Sequence, residues 1–438
     1  VNTSASCIRL LLPADAAWVG LVQAAAEQAG AVFGLDRDKA LRLVHCAEEL
    51  LLFLASAEAG DIETTLRPLS TGVEIGFSFA SADVDLSAMN LVSAPSADKT
   101  DGPGGDRSSL PLLLASRMSD GFRVGLEGRR MEIALRVDKA YPEPEPLPAE
   151  RVRAQGRPTL SAAGDADALF EACSAIAGLY PAHVAPAWCA SPGRAADMVR
   201  AGELFALEAR DAAGRLCGVV FWEMRSERSV AFFGPYDFSV DGSVAGDLVN
   251  ALLQAVGRTG AKNVFSGLAT RPLADHGFEL LAELPYLLGD SPTPVTHAVW
   301  GRMLQEDFGA TAWTHPGFAD FLRGRYDALD LVRDLRPVRE LGEAAQAGSV
   351  IGARLTPGLG EALLHPELNG ADMGDNLARH VAALAAAGYR NILFEIDLAK
   401  GWHAALGEHL LRCGFRPALL LPLGGQSDTL VFRHVPAA

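Results

Sequence analysis

The stretch LRLVHCAEELLLFLAS (residues 41–56) carries two apolar stripes. Ala40, Leu43, Val44, Ala47, Leu50, Leu51 and Leu54 recur at the i, i+3, i+4, i+7 spacing of a helix face packed on a sheet. The opposite face, His45, Glu49, Leu52, Phe53 and Ser56, sets an acid beside bare apolar groups. A helix apolar on both sides is buried on both, so Leu52 and Phe53 are expected to be covered. Residues 16–31 and 36–56 are therefore predicted helices. TTLRPLS and GVEIGFSF alternate about a turn at 70–72 and read as a strand pair. A short helix near 111–119 and two strands, GFRVGLEG and RRMEIALRV, complete helices laid on one sheet.

Two breaks interrupt the pattern. SAPSADKTDGPGGDRSS, from Ser93, is a polar, glycine-rich loop too long for a tight turn. YPEPEPLPAERVRAQGRP, from Tyr141, is proline-rich and reads as a semi-rigid linker. Beyond it, 165–179 is helical, ELFALEARDAAGRLCGVVFWEMR is a hairpin turning at 213–214, and SVAFFGPYDF is a third strand. A helix over 247–259, the strand AKNVFSGLA, and HGFELLAELPYLLG, a short helix running into a strand, follow. A later segment repeats that order: a helix over 373–387, the strand YRNILFEIDL, a helix over 402–413, and a hairpin of LLLPLG with DTLVFRHV. The expected organisation is a domain over 1–140, a linker over 141–158, and two similar domains over 159–290 and 291–438. The fold class is α/β (α+β).

Composition narrows the function classes. The chain has 438 residues, 49% hydrophobic and 21% charged, enough for about three globular domains. A net charge of −16 argues against nonspecific nucleic-acid binding, which needs lysine and arginine against phosphates. No segment is apolar for the ~20 residues of a membrane helix, and no basic region precedes a signal-type apolar core at the start. Six scattered cysteines (7, 46, 173, 189, 217 and 413) show no zinc or redox spacing. The expectation is a reduced, cytoplasmic protein without metal, nucleic-acid or membrane partners.

The element order of residues 10–140 resembles the GHKL-type ATPase fold of anti-sigma-factor serine kinases. In that family a helix carries a glutamate, the general base, one turn before an asparagine that holds Mg²⁺ on the nucleotide. Glu48 and Glu49 stand where the glutamate belongs, but Leu52 and Phe53 follow, and neither ligates a hard cation. Phe79 and Ser81 replace the aspartate and glycine of the adenine-reading motif, and Ser109 and Pro111 replace glycines at a helix start. Asp120 matches a family aspartate outside the nucleotide chemistry. The resemblance thus implies a degenerate, ATPase-like domain with ATP unlikely as ligand, and a partner of the anti-sigma-factor-antagonist kind or a second copy of the chain. Glu48 and Glu49 are then either a retained base or a solvated, partner-facing surface; without a metal ligand beside them the second is preferred.

The remainder resembles a GNAT acetyltransferase region, and the whole resembles bacterial fusions of the two. Asp397, Leu398, Gly414, Phe415, Pro422, Asp428 and Leu430 match that family's C-terminal pattern in order and spacing. The resemblance implies acetyl-CoA or CoA as ligand. In the family, a loop of Arg/Gln-x-x-Gly-x-Gly/Ala form offers backbone N–H groups at a helix start to a pyrophosphate. The corresponding stretch is FSVDGSVAGDLVNALL, so Gly242, Ser243, Val244, Ala245 and Gly246 are the candidate cofactor-binding residues. Asp241 stands for the basic residue and Val244 for the first glycine, which impairs the loop; a register shifted to Gly242 would restore it. Before the later helix only Gly370 and Gly374 are on offer.

Tyr286 is the candidate general acid for a leaving thiolate, although its place before LLG also suits a plain strand residue. Glu49 is the other candidate catalytic group. His409 and Cys413, one helical turn apart, lack a third ligand or an orienting acid by spacing. GPGG at 102–105 lacks the Gly-Lys-Ser/Thr ending of a phosphate loop. Trp188, Trp300, Trp313 and Trp402 read as core or interface residues. Three functions remain open: a regulatory or binding protein, an acyl-CoA-dependent N-acyltransferase with an atypical loop, and a sensor holding a small molecule between the two C-terminal halves.

Overall fold

The computed structural model describes residues 7–80, 84–93, 109–145, 147–338 and 345–436. The glycine-rich loop with its GPGG, and Ser81, lie outside the described residues except at the loop's ends. The chain is mixed α/β and divides into two compact units. Unit 1 comprises Val1–Ala140 together with Glu343–Ala353 and Leu364–Ala383; unit 2 is the rest of the chain, beginning at Tyr141.

Unit 1 opens with β1 (Ile8–Pro13), α1 (Val19–Val32) and α2 (Arg37–Ser56). Strands β2 (Asp61–Leu69) and β3 (Gly72–Ala80), helix α3 (Leu110–Met118), and strands β4 (Gly121–Glu127) and β5 (Arg130–Asp138) follow. Asp36 caps α2 by accepting from the Lys39 amide at 2.8 Å. The five strands form one sheet in the order β1-β2-β3-β5-β4 with antiparallel neighbours throughout. Period-2 alternation sorts its faces: Ile62, Thr64, Leu66, Val73, Ile75, Phe77, Ile133 and Leu135 are buried. The intervening positions carry ion pairs, Arg67–Glu74 at 2.5 Å, Arg123–Glu132 at 3.0 Å and Arg130–Glu63 at 2.9 Å. Helix α2 lies between α1 and α3 and rests on β3 and β5.

Unit 2 begins with β6 (Thr159–Ala162), α4 (Ala166–Leu179) and α5 (Pro192–Ala201). Strands β7 (Leu204–Arg210), β8 (Leu216–Ser226) and β9 (Ser229–Asp237) then run as a meander into α6 (Ala245–Val256). Strands β10 (Asn263–Ala269), β11 (Glu279–Tyr286) and β12 (Val295–Met303) complete a seven-stranded sheet, β11-β12-β10-β9-β8-β7-β6. Every neighbouring pair is antiparallel except β9 and β10, which run parallel because α6 carries the chain across between them. The start of α6 therefore sits just past the C-terminal end of β9, where parallel sheets present helix ends to ligands.

Strands β13 (Ala310–Thr314) and β14 (Arg333–Pro337) pair in parallel around α7 (Ala319–Ala328). Strands β15 (Val350–Thr356) and β16 (Glu361–Leu368) and helix α8 (Met373–Ala386) each contribute residues to both units. The chain closes in unit 2 with β17 (Asn391–Asp397), α9 (Gly401–Ala405), α10 (Gly407–Arg412), β18 (Phe415–Leu421) and β19 (Thr429–His434). The helix expected over 402–413 is thus two short helices meeting at Leu406. Segments expected as a linker are hydrogen-bonded into unit 2: the Val152 amide donates to the Phe238 carbonyl at 2.7 Å, and the Val240 amide donates to that of Val152. No helix among the described residues is long and apolar enough to cross a membrane.

Candidate functional site

The five candidate residues Gly242 to Gly246 do lie at the start of α6, and the amides of the middle three are in use. The last residue of β9, Asp237, turns its carboxylate into the helix end. Its Oδ2 accepts from the Val244 amide at 3.0 Å and the Ala245 amide at 2.8 Å. Its Oδ1 accepts from the amide and hydroxyl of Ser239 at 2.8 and 2.5 Å. Asp237 is 6% exposed, so these bonds sit in a water-poor environment where charge-assisted bonds are strong. The Ser243 amide donates to Ser239 Oγ at 3.1 Å and to Asp241 Oδ1 at 3.3 Å. Three consecutive amides that could cradle an anion thus already hold oxygens of the chain itself.

Asp241, expected to repel a pyrophosphate, stays ionised: the Ser243 hydroxyl and amide hold its carboxyl below the usual range. Gly242 takes the left-handed φ of +68° and turns the chain, with open space about it. While Asp237, Ser239 and Asp241 hold the amides of residues 243–245, those three N–H groups are not free for a coenzyme A pyrophosphate. Sequence reasoning missed Asp237. The signal for it was present, an aspartate closing a hydrophobic strand a few residues before a helix start, but nothing in the spacing said that its side chain would fold forward.

Tyr286, at the end of β11, is buried and its hydroxyl donates to Glu361 Oε2 at 2.5 Å. Burial first, and the Glu361 carboxylate next, hold the phenol well above its usual range. Its ring stacks on His297 of β12 at 4.4 Å between centroids, and His183 lies 5.5 Å beyond. Desolvation, with a smaller contribution from His183, pushes the His297 imidazole from 6.5 down to about 4, and its Nε2 has no hydrogen-bond partner among the described residues. Glu361, in contrast to His297, is pushed up, chiefly by burial. Neither His297 nor Glu361 was singled out in the sequence, because they come from distant strands.

Glu49, the other candidate, belongs to unit 1, so Tyr286 and Glu49 are not residues of one unit. Its carboxyl is raised by desolvation and by the neighbouring Glu48. Glu48 accepts from Gln23 Nε2 at 2.9 Å and lies 3.6 Å from His45 Nδ1. Phe53 and Phe79 are buried while Leu52 is half-exposed, so the expected cover over α2 is complete for Phe53 and partial for Leu52. Asp120 is structural: it pairs with Arg42 at 2.9 Å and Lys39 at 3.3 Å and accepts from the Asp138 amide.

The matched C-terminal aspartates shape a loop. Asp397 accepts from the amides of Ala399, Gln426 and Ser427. Asp428, fully buried, binds Arg333 at 2.6 Å, the Tyr326 hydroxyl at 2.8 Å and the Leu423 amide at 2.8 Å. Gly370 lies in unit 1, where a Cβ would run into the Ser349 backbone; close packing explains that glycine. His409 accepts from Arg412 at 2.9 Å. No group of three or more metal-ligating side chains occurs among the described residues.

No family model matches the sequence, and no curated protein matches it. Among solved structures, a phosphinothricin acetyltransferase of the GNAT superfamily from Sinorhizobium meliloti, in complex with AcCoA, is 18% identical, with a TM-score of 0.29 over 35% of this chain and 91% of its own. Spermidine/spermine N-acetyltransferase SpeG from Vibrio cholerae is 15% identical, with a TM-score of 0.26 over 34% of this chain and 93% of its own. An N-acetyltransferase from Staphylococcus aureus Mu50 is 11% identical, with a TM-score of 0.27 over 34% and 97%. At identities this low and TM-scores below 0.5, the likeness carries no conclusion about what this chain does.

Proposed function

We propose that the chain is a regulatory or binding protein in which unit 1 is an ATPase-like module without ATP chemistry and unit 2 an acetyltransferase-like scaffold that does not use the start of α6 to hold a cofactor. The observation that carries this reading is Asp237, whose buried carboxylate takes the Val244 and Ala245 amides. In unit 1, Leu52 and Phe53 offer no oxygen where the resembling ATPases hold their metal. That leaves the unit's surface, with Glu48 and Glu49, to hold a partner of the anti-sigma-factor-antagonist kind or a second copy of the chain. Calorimetric titration of the full chain with acetyl-CoA, and separately with Mg²⁺ and ATP, tests both halves of the reading. No heat of binding at millimolar ligand is expected; micromolar affinity for either overturns the corresponding half.

A second reading, N-acyl transfer, is favoured by one observation. His297 presents an unpartnered Nε2 on a ring that stays neutral at pH 7, which is the state a general base requires. An acetyl donor would then have to be held elsewhere than on the amides of residues 243–245. Acetyl transfer to an amine panel, lost in His297→Gln, is the measurement that would favour it. The sensor reading has less support. Phe265, Leu281 and Leu284 of one C-terminal half pack with Leu393, Leu419 and Val431 of the other in a single buried apolar cluster, where that reading expects a cleft.

A further inference from the structure

Unit 2 contains a cavity of about 510 Å³ that shares no lining residue with the start of α6 or with the Tyr286–His297–Glu361 group. Phe170, Cys173 and Ala177 of α4 line it, together with Pro186, Cys189 and Pro192 from the segment that leads into α5. Its mouth is bordered by Glu143 and Glu145, both exposed. Neither carboxylate has a hydrogen-bond or ion-pair partner among the described residues, and no lysine, arginine or histidine lines the cavity.

The size falls within the range of small-molecule pockets, which are mainly apolar with a few polar groups that fix orientation. The two thiols belong to the apolar wall. Cys173 and Cys189 are buried and adjacent, and burial together with that contact pushes the Cys189 thiol up, so it stays protonated and uncharged at neutral pH. Two unpaired carboxylates at the rim of a low-dielectric cleft repel an anion and attract a cation. The charge and the lining together therefore select one ligand chemistry, an apolar body ending in an ammonium group.

We propose that this cavity binds a small organic amine, its alkyl or aryl body against Phe170, Ala177 and Pro186 and its ammonium between Glu143 and Glu145. The site stands apart from the reading of α6: acetyl-CoA binding would overturn that reading and leave this one untouched. Calorimetry of the full chain with hexylamine, hexanol and hexanoate provides the test. Hexylamine should bind about tenfold or more tighter than hexanol, and hexanoate should not bind. The Glu143→Gln, Glu145→Gln double variant should lose that tenfold preference, and both side chains are exposed, so the fold should survive. Ala177→Trp, which fills the cavity from an exposed helix position, should abolish binding of amine and alcohol alike. Equal binding of hexylamine and hexanol, an unchanged affinity in either variant, or no hexylamine binding at millimolar concentration overturns the proposal.

Discussion

Asp237 gathers four donors around one carboxylate: two amides of the α6 start, and the amide and hydroxyl of Ser239. Truncation leaves buried N–H groups with no acceptor, at about 1–3 kcal/mol for each. Asp237→Ala is therefore expected to lower the unfolding free energy by about 2–4 kcal/mol, read from the urea midpoint at constant m. An unchanged midpoint would mean that water replaces the carboxylate and that the helix end is open after all. His297 carries a pH signature. The folded ring takes its proton only near pH 4 and the unfolded one near 6.5. Between those values the unfolded state binds more protons, so stability should fall as pH drops from about 6.5 to about 4 and level off below. His297→Phe keeps a ring against Tyr286 and should flatten that part of the profile in urea unfolding at a series of pH values. Of these residues Asp237 was invisible to pattern reading because its role depends on side-chain direction. His297 was invisible because its partners come from α4–α5 turns and from β11.

Helix α2 is the element where the sequence pattern was most informative. Of the inner stripe, Leu43, Ala47, Leu50, Leu51 and Leu54 are fully buried, while Ala40 and Val44 at its edge are half-buried. On the other face Phe53 is 4% exposed while Leu52 is half-exposed. Phe53→Ala is expected to cost about 3–5 kcal/mol, the usual cost of a large buried cavity. Leu52→Ala should cost about 1 kcal/mol or less. Thermal unfolding of the two variants distinguishes them; equal shifts would contradict the asymmetric cover. The hairpins β2–β3, β7–β8 and β18–β19 were legible in advance because alternation and turn residues act locally. Strands β1, β6, β12 and β13 to β16 were not read, since several are short or half-exposed, and their pairing is decided by distant neighbours.

At the scale of the whole molecule, unit 1 is discontinuous in sequence. Val350 and Leu368 join its core beside Leu86 and Met89. The Asn90 side chain, 1% exposed, donates to the Ser349 carbonyl at 2.8 Å and accepts from the Ile351 amide at 2.9 Å and from Asn376 Nδ2 at 3.0 Å. The Val124 amide donates to Glu367 at 2.9 Å. A chain cut to residues 1–140 keeps all five strands of its sheet but takes from Asn90 its Ser349, Ile351 and Asn376 partners, leaving its side chain only the Ser87 carbonyl. It is expected to unfold about 10 °C below unit 1 in the full chain, or to aggregate, as followed by circular dichroism. Cooperative unfolding of the cut chain at the full-chain temperature would show that residues 343–353 and 364–383 are dispensable to it.

The sequence by itself determined the helices and hairpins of unit 1 and the strand–helix order from 204 to 269, because hydrophobic period and turn chemistry are properties of contiguous residues. It also determined that Leu52 and Phe53 could ligate no metal, a matter of atom types alone. Only the tertiary structure decided what fills the start of α6 and which buried base stands beside Tyr286. It alone returned residues near 350 and 370 to a core begun at residue 12. Each of these depends on groups far apart in the chain meeting in space, and no local pattern encodes that meeting.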